Sequence, residues 1–251
     1  MRTLLFIFVI VAVLYQTPVF ANETATQTAE ANYNQSFEPD PFENVSAEYL
    51  QSLTKFQEPA KQMNLTSSSE GDQILSSYDY LDPQNIVPTI PLQQAVLYFD
   101  TNKALIKNQN YLTIDDFTQY SGHKRMYVID MKTGNVETYL VAHGRNSDPE
   151  QTGYATKFSN VSDSKMSSVG FYLTAETYEG SNGLSMRLDG LQSTNSKARE
   201  RAIVMHGAHY VTPDLDRMGR SWGCPAIEKQ YVSTMTSHLK EGSLLYIWAK
   251  Q

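Results

Sequence analysis

Between residues 111 and 248 the chain is cut into short runs rich in β-branched and aromatic residues, with turn signals between them. These are YLTIDDF (111–117), RMYVID (125–130), VETYLVAH (136–143), VGFYLTAE (169–176), LSMRLDG (184–190), AIVMH (202–206) and SLLYIW (243–248). Each is short for a globular helix, and each suits a pleated surface. MKTGN (131–135) reads as a hairpin turn between the second and third runs. Two segments have helical spacing instead. In PLQQAVLYFDTNKALIKN (91–108), Pro91 sits in the first turn and Leu92, Ala95, Val96 and Phe99 share a side. In AIEKQYVSTMTSHLKEG (226–242), Ile227, Tyr231, Met235 and Leu239 recur at four-residue steps and Gly242 supplies a stop. Many short strands with one or two flanking helices predict a mainly-β sandwich or barrel.

The N-terminal part has a different texture. MRTLLFIFVIVAVLYQTPVFA carries Arg2, an apolar run Leu4–Tyr15 and small residues Val19 and Ala21, the pattern of a secretory signal peptide over 1–21. The apolar run falls short of the roughly 20 residues that span a bilayer. Residues 22–80 hold ten acidic residues against Lys55 and Lys61, whereas the remainder to 251 is balanced in charge. The segment 22–85 is therefore expected to be acidic and largely disordered with one short helix near 45–56 capped by Ser46, and residues 45–80 to act as a spacer rather than a lid across the cleft. Residues 86–251 make one domain large enough for a full core. With no basic patch, a nucleic-acid partner is excluded. The expected location is the periplasm or cell envelope, with no membrane association after signal cleavage and a monomeric state.

Cys224 is the only cysteine of the chain. In an oxidising compartment structural cysteines pair, and this one has no mate within its own chain. It lies in GRSWGCPA (219–226), a loop sequence rather than an apolar strand. His206 closes the run AIVM, which places it at a strand end, eighteen positions before Cys224. Gly223 permits a tight turn, and Pro225 suits the first turn of the last helix, which puts Cys224 at a helix N-terminus where free amides favour a thiolate. A thiol, an imidazole and amide donors are the parts of acyl transfer. Two other readings compete: a buried apolar cysteine, and a zinc site from His206, His209 and Cys224 with Asp214 or Asp216.

His206-Gly207 followed by Ser221-x-Gly223-Cys224 resembles the signature of YkuD-type L,D-transpeptidases. The fit is closest to the murein L,D-transpeptidase catalytic domain family, through GRSWGCPA, RAIVMHGAHY (201–210), FSN (158–160), SSVGFY (167–172), RMYVID and VAHG (141–144). The resemblance covers residues 90–250 and implies a β-sandwich catalytic core acting on peptidoglycan stem peptides. It makes Cys224 the nucleophile and His206 the base. It has the Gly207 carbonyl orient the far imidazole nitrogen, and the amides around Trp222, Gly223 and Cys224 form the oxyanion hole. No metal or organic cofactor is implied. The chain departs from the family pattern in having Trp222 in place of a second imidazole and Ala226 in place of an arginine. Arg220 is the expected substitute for that charge. Ser221, Tyr210, His209, His143 and Asn160 are the candidates for lining the substrate site, with Ser168 beside them; His143 also reads as a structural histidine in a turn.

Overall fold

The computed structural model describes residues 40–56 and 68–250. The signal-peptide reading, and the parts of the acidic segment at 22–39 and 57–67, lie outside them. Eight strands form the body: β1 Tyr111–Asp116, β2 Lys124–Asp130, β3 Val136–Ala142, β4 Gly170–Gly180, β5 Gly183–Gly190, β6 Val204–Ala208, β7 Ala226–Glu228 and β8 Leu244–Trp248. All seven runs picked out by composition are strands. β2 and β3 join through the expected hairpin, where Asp130 Oδ1 accepts from the Lys132 and Thr133 amides.

The sheet closes on itself in the order β1-β2-β3-β7-β6-β5-β4-β8. This corrects the expected sandwich. Two parallel pairings close the ring, β1 with β8 and β6 with β7. β7 is the strand the sequence hides. Its three residues read as the opening of a helix, but Ala226 and Ile227 pair with Ala142 and Val141 on one side and with His206 and Gly207 on the other. The helix starts later, at α4 in the order used here (Val232–Leu239), after a 3₁₀ turn at Lys229–Tyr231. Pro225 therefore precedes a strand, and Cys224 is not at a helix N-terminus.

Strand alternation sorts the core into two sides. One set of side chains faces inward, where Met126, Val128, Tyr139, Val141, Tyr172, Met186, Leu188, Met205, Ile227, Leu245 and Ile247 meet Val232, Met235 and Leu239 of α4. The alternate set, including Leu112, Ile114, Tyr127, Ile129, Phe171 and Leu244, packs outward under the helix Thr89–Asn102 through its Ala95, Val96, Tyr98 and Phe99. Tyr98 stacks on Phe171 at 3.8 Å between ring centroids, and Phe171 on Tyr246 at 4.0 Å. That helix ends earlier than expected, at Asn102; Gln109 Nε2 then donates to the carbonyls of Lys103 and Ile106.

Two short helices lie N-terminal to it. We number the helices α1 Ala47–Leu53, α2 Ser69–Ser76, α3 Thr89–Asn102 and α4 Val232–Leu239. Ser46 caps α1 by accepting from the Tyr49 amide. Residues 40–56 are laid against the barrel rather than extended from it as a spacer. Tyr49 Oη donates to Asp189 on β5 at 2.6 Å, Arg199 Nη1 donates to the Pro41 carbonyl at 2.8 Å, and Phe56 is buried with the α3 cluster. Arg199 is itself held by Asp189 and Glu176. No helix among the described residues is long and apolar enough to cross a membrane.

Candidate active site

The cysteine turn is pinned from both sides. Ser221 pairs with Gly144 in a parallel bridge, donating its amide to His143 O and accepting at its carbonyl from the Arg145 amide. Its hydroxyl accepts from the Gly223 amide at 3.1 Å and donates to Cys224 O at 2.6 Å. Ser167 Oγ donates to Gly223 O at 3.1 Å. Gly223 has φ +132°, and a Cβ there would stand 2.9 Å from the Met166 carbonyl oxygen, so glycine is required. Ser221 is thus buried and serves the loop rather than facing a substrate. The Gly223 amide, assigned to the oxyanion hole from sequence, is occupied by Ser221 Oγ.

Cys224 is half-buried where β7 begins. Its Sγ accepts from the Val204 amide at 3.5 Å and lies 3.7 Å from the Ala202 carbonyl. An amide donor on sulfur favours the thiolate, because it solvates the charged form. His206 is buried within β6, one strand over, and stands beside Ala226. It is inside the strand and not at its end as expected. The reason is that β6 begins only at Val204 and runs on to Ala208. His206 Nδ1 lies 3.1 Å from Gly207 O. A carbonyl can only accept, so this contact places the proton on Nδ1 and leaves Nε2 as the basic nitrogen. The parallel β6–β7 pairing therefore brings the thiol to the strand that carries the imidazole.

The other sequence candidates scatter. Arg220 Nη1 donates to the carbonyls of Arg145 and Asp148 at 3.0 and 2.8 Å, and burial with Arg145 nearby lowers its pKa. His143 is buried; its Nδ1 is 2.8 Å from Arg125 Nη2 and its Nε2 is 3.8 Å from Asp148. Burial first, then Arg125, drive its pKa down to about 3, so it stays neutral. It is a packed histidine held between Arg125 and Asp148. Asn160 ties loops together through Ser193 O, Ser196 Oγ and the Lys197 amide. Tyr210 packs over Gly219, with His209 edge-on to its ring. Trp222, 36% exposed, lies next to the cysteine turn with Lys165 Nζ 4.4 Å from its ring centroid. Among the described residues no three His, Cys, Asp or Glu side chains gather to hold a metal ion.

Sequence reasoning passed over Arg201. Its Nη1 donates to Ser159 O at 2.8 Å and Ser168 Oγ at 3.2 Å, and its Nη2 to Met166 O at 2.6 Å and Ser164 Oγ at 3.2 Å. Its charge interacts with Cys224. The residue opens RAIVMHGAHY, so the only signal available was its place three residues before a strand.

The closed β-barrel thus sets a pinned cysteine turn next to the strand that carries His206. The chain belongs to the L,D-transpeptidase catalytic domain family, whose model matches residues 84–248. No curated protein sequence matches it. Among solved structures it is similar to an L,D-transpeptidase from Mycobacterium tuberculosis, at 14% identity and a TM-score of 0.38 over 56% of this chain and 58% of that one. An L,D-transpeptidase from Mycobacterium smegmatis matches at 10% identity and a TM-score of 0.37, over 56% and 59%. Bdellovibrio bacteriovorus Bd1075 matches at 13% and 0.34, over 55% and 48%. The matches thus span about half to three-fifths of those chains.

Proposed function

We propose that this protein is a peptidoglycan L,D-transpeptidase of the cell envelope, with Cys224 as nucleophile and His206 as base. Nε2 of His206 takes the thiol proton, and the sulfur attacks the carbonyl of the L-centre at the third residue of a stem tetrapeptide. The tetrahedral adduct collapses to a thioester as His206 returns the proton to the departing D-Ala amine. An amine of a neighbouring stem then attacks the thioester, loses its proton to His206 and releases the thiol. Gly207 O holds the imidazolium that forms between these steps, in the place a carboxylate takes in other triads. The Gly207 carbonyl on Nδ1 is the observation that most supports the reading, since it fixes the tautomer that a base facing the thiol requires.

The test is incubation with tetrapeptide muropeptides and mass analysis. Cross-linked dimers carry the proposal. Tripeptides alone make the acceptor water and the enzyme an L,D-carboxypeptidase. A carbapenem adds an independent readout: a covalent adduct in stoichiometric yield, abolished by Cys224→Ala, identifies the nucleophile. Neither product nor adduct from the folded, reduced protein refutes the enzyme and leaves a wall-binding module.

A further inference from the structure

Carboxylates act on each of the three buried arginines of the barrel, whereas none acts on the partly buried Arg201. Arg199 is held by Asp189 and Glu176, and Arg187 by Glu176. Arg125 makes no ion pair among the described residues, but the charges of Asp115, Asp116 and Asp148 act on it. Arg201 is more than half withdrawn from water, yet its four hydrogen bonds run to two carbonyls and two hydroxyls, and no carboxylate forms an ion pair with it among the described residues. A guanidinium withdrawn from water without an anion is destabilising. Burial accordingly lowers its pKa, and two groups oppose that: the Tyr172 phenol and the Cys224 thiol. Both are neutral unless they ionise. Tyr172 is fully buried and bonded to Ser168, and burial pushes its pKa up, so the phenol keeps its proton. The thiol is the group left to become the anion.

The backbone around Arg201 is built to hold it there. Its amide donates to Lys197 O, and the amides of Ala202 and Ile203 donate to Arg199 O and Ala198 O. Ala202 adopts φ +51°, a left-handed conformation that costs an alanine about 1 kcal/mol. That turn places the Ala202 carbonyl 3.7 Å from Sγ, where it accepts from the protonated thiol, and brings the guanidinium of the preceding residue to the cysteine turn. A Cβ placed on Gly223 would stand 3.3 Å from Arg201 Nη2.

We propose that Arg201 is a counter-charge for the Cys224 thiolate, a positioning residue that favours ionisation of the sulfur when His206 takes its proton. It takes the role that sequence reasoning gave to Arg220, whose guanidinium is engaged on the Arg145 and Asp148 carbonyls instead. The inference rests on Cys224 being the nucleophile only for its biological meaning; thiol ionisation is measurable without any wall substrate.

The experiment follows alkylation of Cys224 by iodoacetamide across pH, read by intact mass, in the full chain and in Arg201→Gln and Arg201→Lys. In Arg201→Gln the rate near pH 6.5 falls about tenfold or more, and the inflection moves up by about a unit, while near pH 10, where any thiol is ionised, the rate stays within about twofold. Arg201→Lys keeps the charge but not the fork, and its inflection stays within about half a unit of the parent. Equal slowing at every pH marks a purely structural residue and overturns the proposal, as does an unchanged profile in Arg201→Gln. If Arg201→Gln does not fold, Arg201→Lys decides, and an inflection near that of a free cysteine overturns the idea. A shifted profile together with no carbapenem adduct sinks the enzymatic reading and leaves the counter-charge standing.

Discussion

Asp115 should make the protein less stable as the pH rises from about 4 towards neutrality, and Asp115→Asn should abolish that trend. The carboxyl is fully buried on β1, and neither oxygen has a hydrogen-bond partner, nor has Thr113 Oγ1 two residues earlier. Burial pushes its pKa up from 3.8 to about 7, against the pull of Arg125. In the unfolded chain it ionises near 3.8, so between there and about 7 the native state holds a proton that the unfolded state has lost. Its contribution to stability is complete below the unfolded value and drains away as pH climbs to the folded one. With about 1.4 kcal/mol per pKa unit, the loss is ~2–3 kcal/mol between about pH 5 and pH 8. Asparagine leaves an amide buried and poorly paired, a penalty of about 1–3 kcal/mol that does not vary with pH. The difference in slope, not the absolute stability, is therefore the readout. Urea unfolding at several pH values, parent minus variant, measures it directly. Subtraction also removes His143, which acts with the opposite sign: held neutral with a pKa of about 3, it loses stability as pH falls below about 6.5. A parent and variant that run parallel across this window would refute the argument and mean that Asp115 is solvated or ionised in the native state.

Gly223→Ala forces a Cβ against the Met166 carbonyl and a left-handed backbone, so acylation of Cys224 should slow at least about tenfold while unfolding stability drops by only ~1–3 kcal/mol; comparing adduct formation with urea midpoints checks both. Tyr49→Phe removes the hydroxyl on Asp189, and limited proteolysis within residues 40–56 should accelerate by about fivefold or more with the barrel intact, following a bond worth about 1 kcal/mol or more. His206→Ala should cut the carbapenem acylation rate by about a hundredfold or more without loss of fold, by circular dichroism, because proton transfer by a positioned base contributes on that scale.

What the sequence conceals here is chiefly long-range pairing. Runs such as VETYLVAH and SLLYIW announce themselves because β-branched and aromatic residues crowd them locally. Ala226-Ile227-Glu228 gives no such signal: a proline ahead and helix-tolerant residues behind suggest a helix, and only β3 and β6 on either side make it a strand. Missing that strand leaves sandwich and barrel undecided from pattern alone and puts Cys224 at a helix that is not there. His206, Gly207 and Cys224 stand out in the sequence because their residue types and order suggest chemistry. Arg201 does not, because nothing in a lone arginine says whether an anion will stand opposite it once the chain is folded. The reverse holds for Arg220 and Asn160, polar residues near the motif whose folded partners are backbone carbonyls and neighbouring loops.

A ring of strands has no free edge along which to slip. The cysteine leads into one member of that ring and the imidazole belongs to the next, so a register change between them would require every other pairing around the circle to shift as well. The spacing of the thiol and the imidazole is consequently inherited from global topology, and the connecting loops outside the ring are free to vary without altering it.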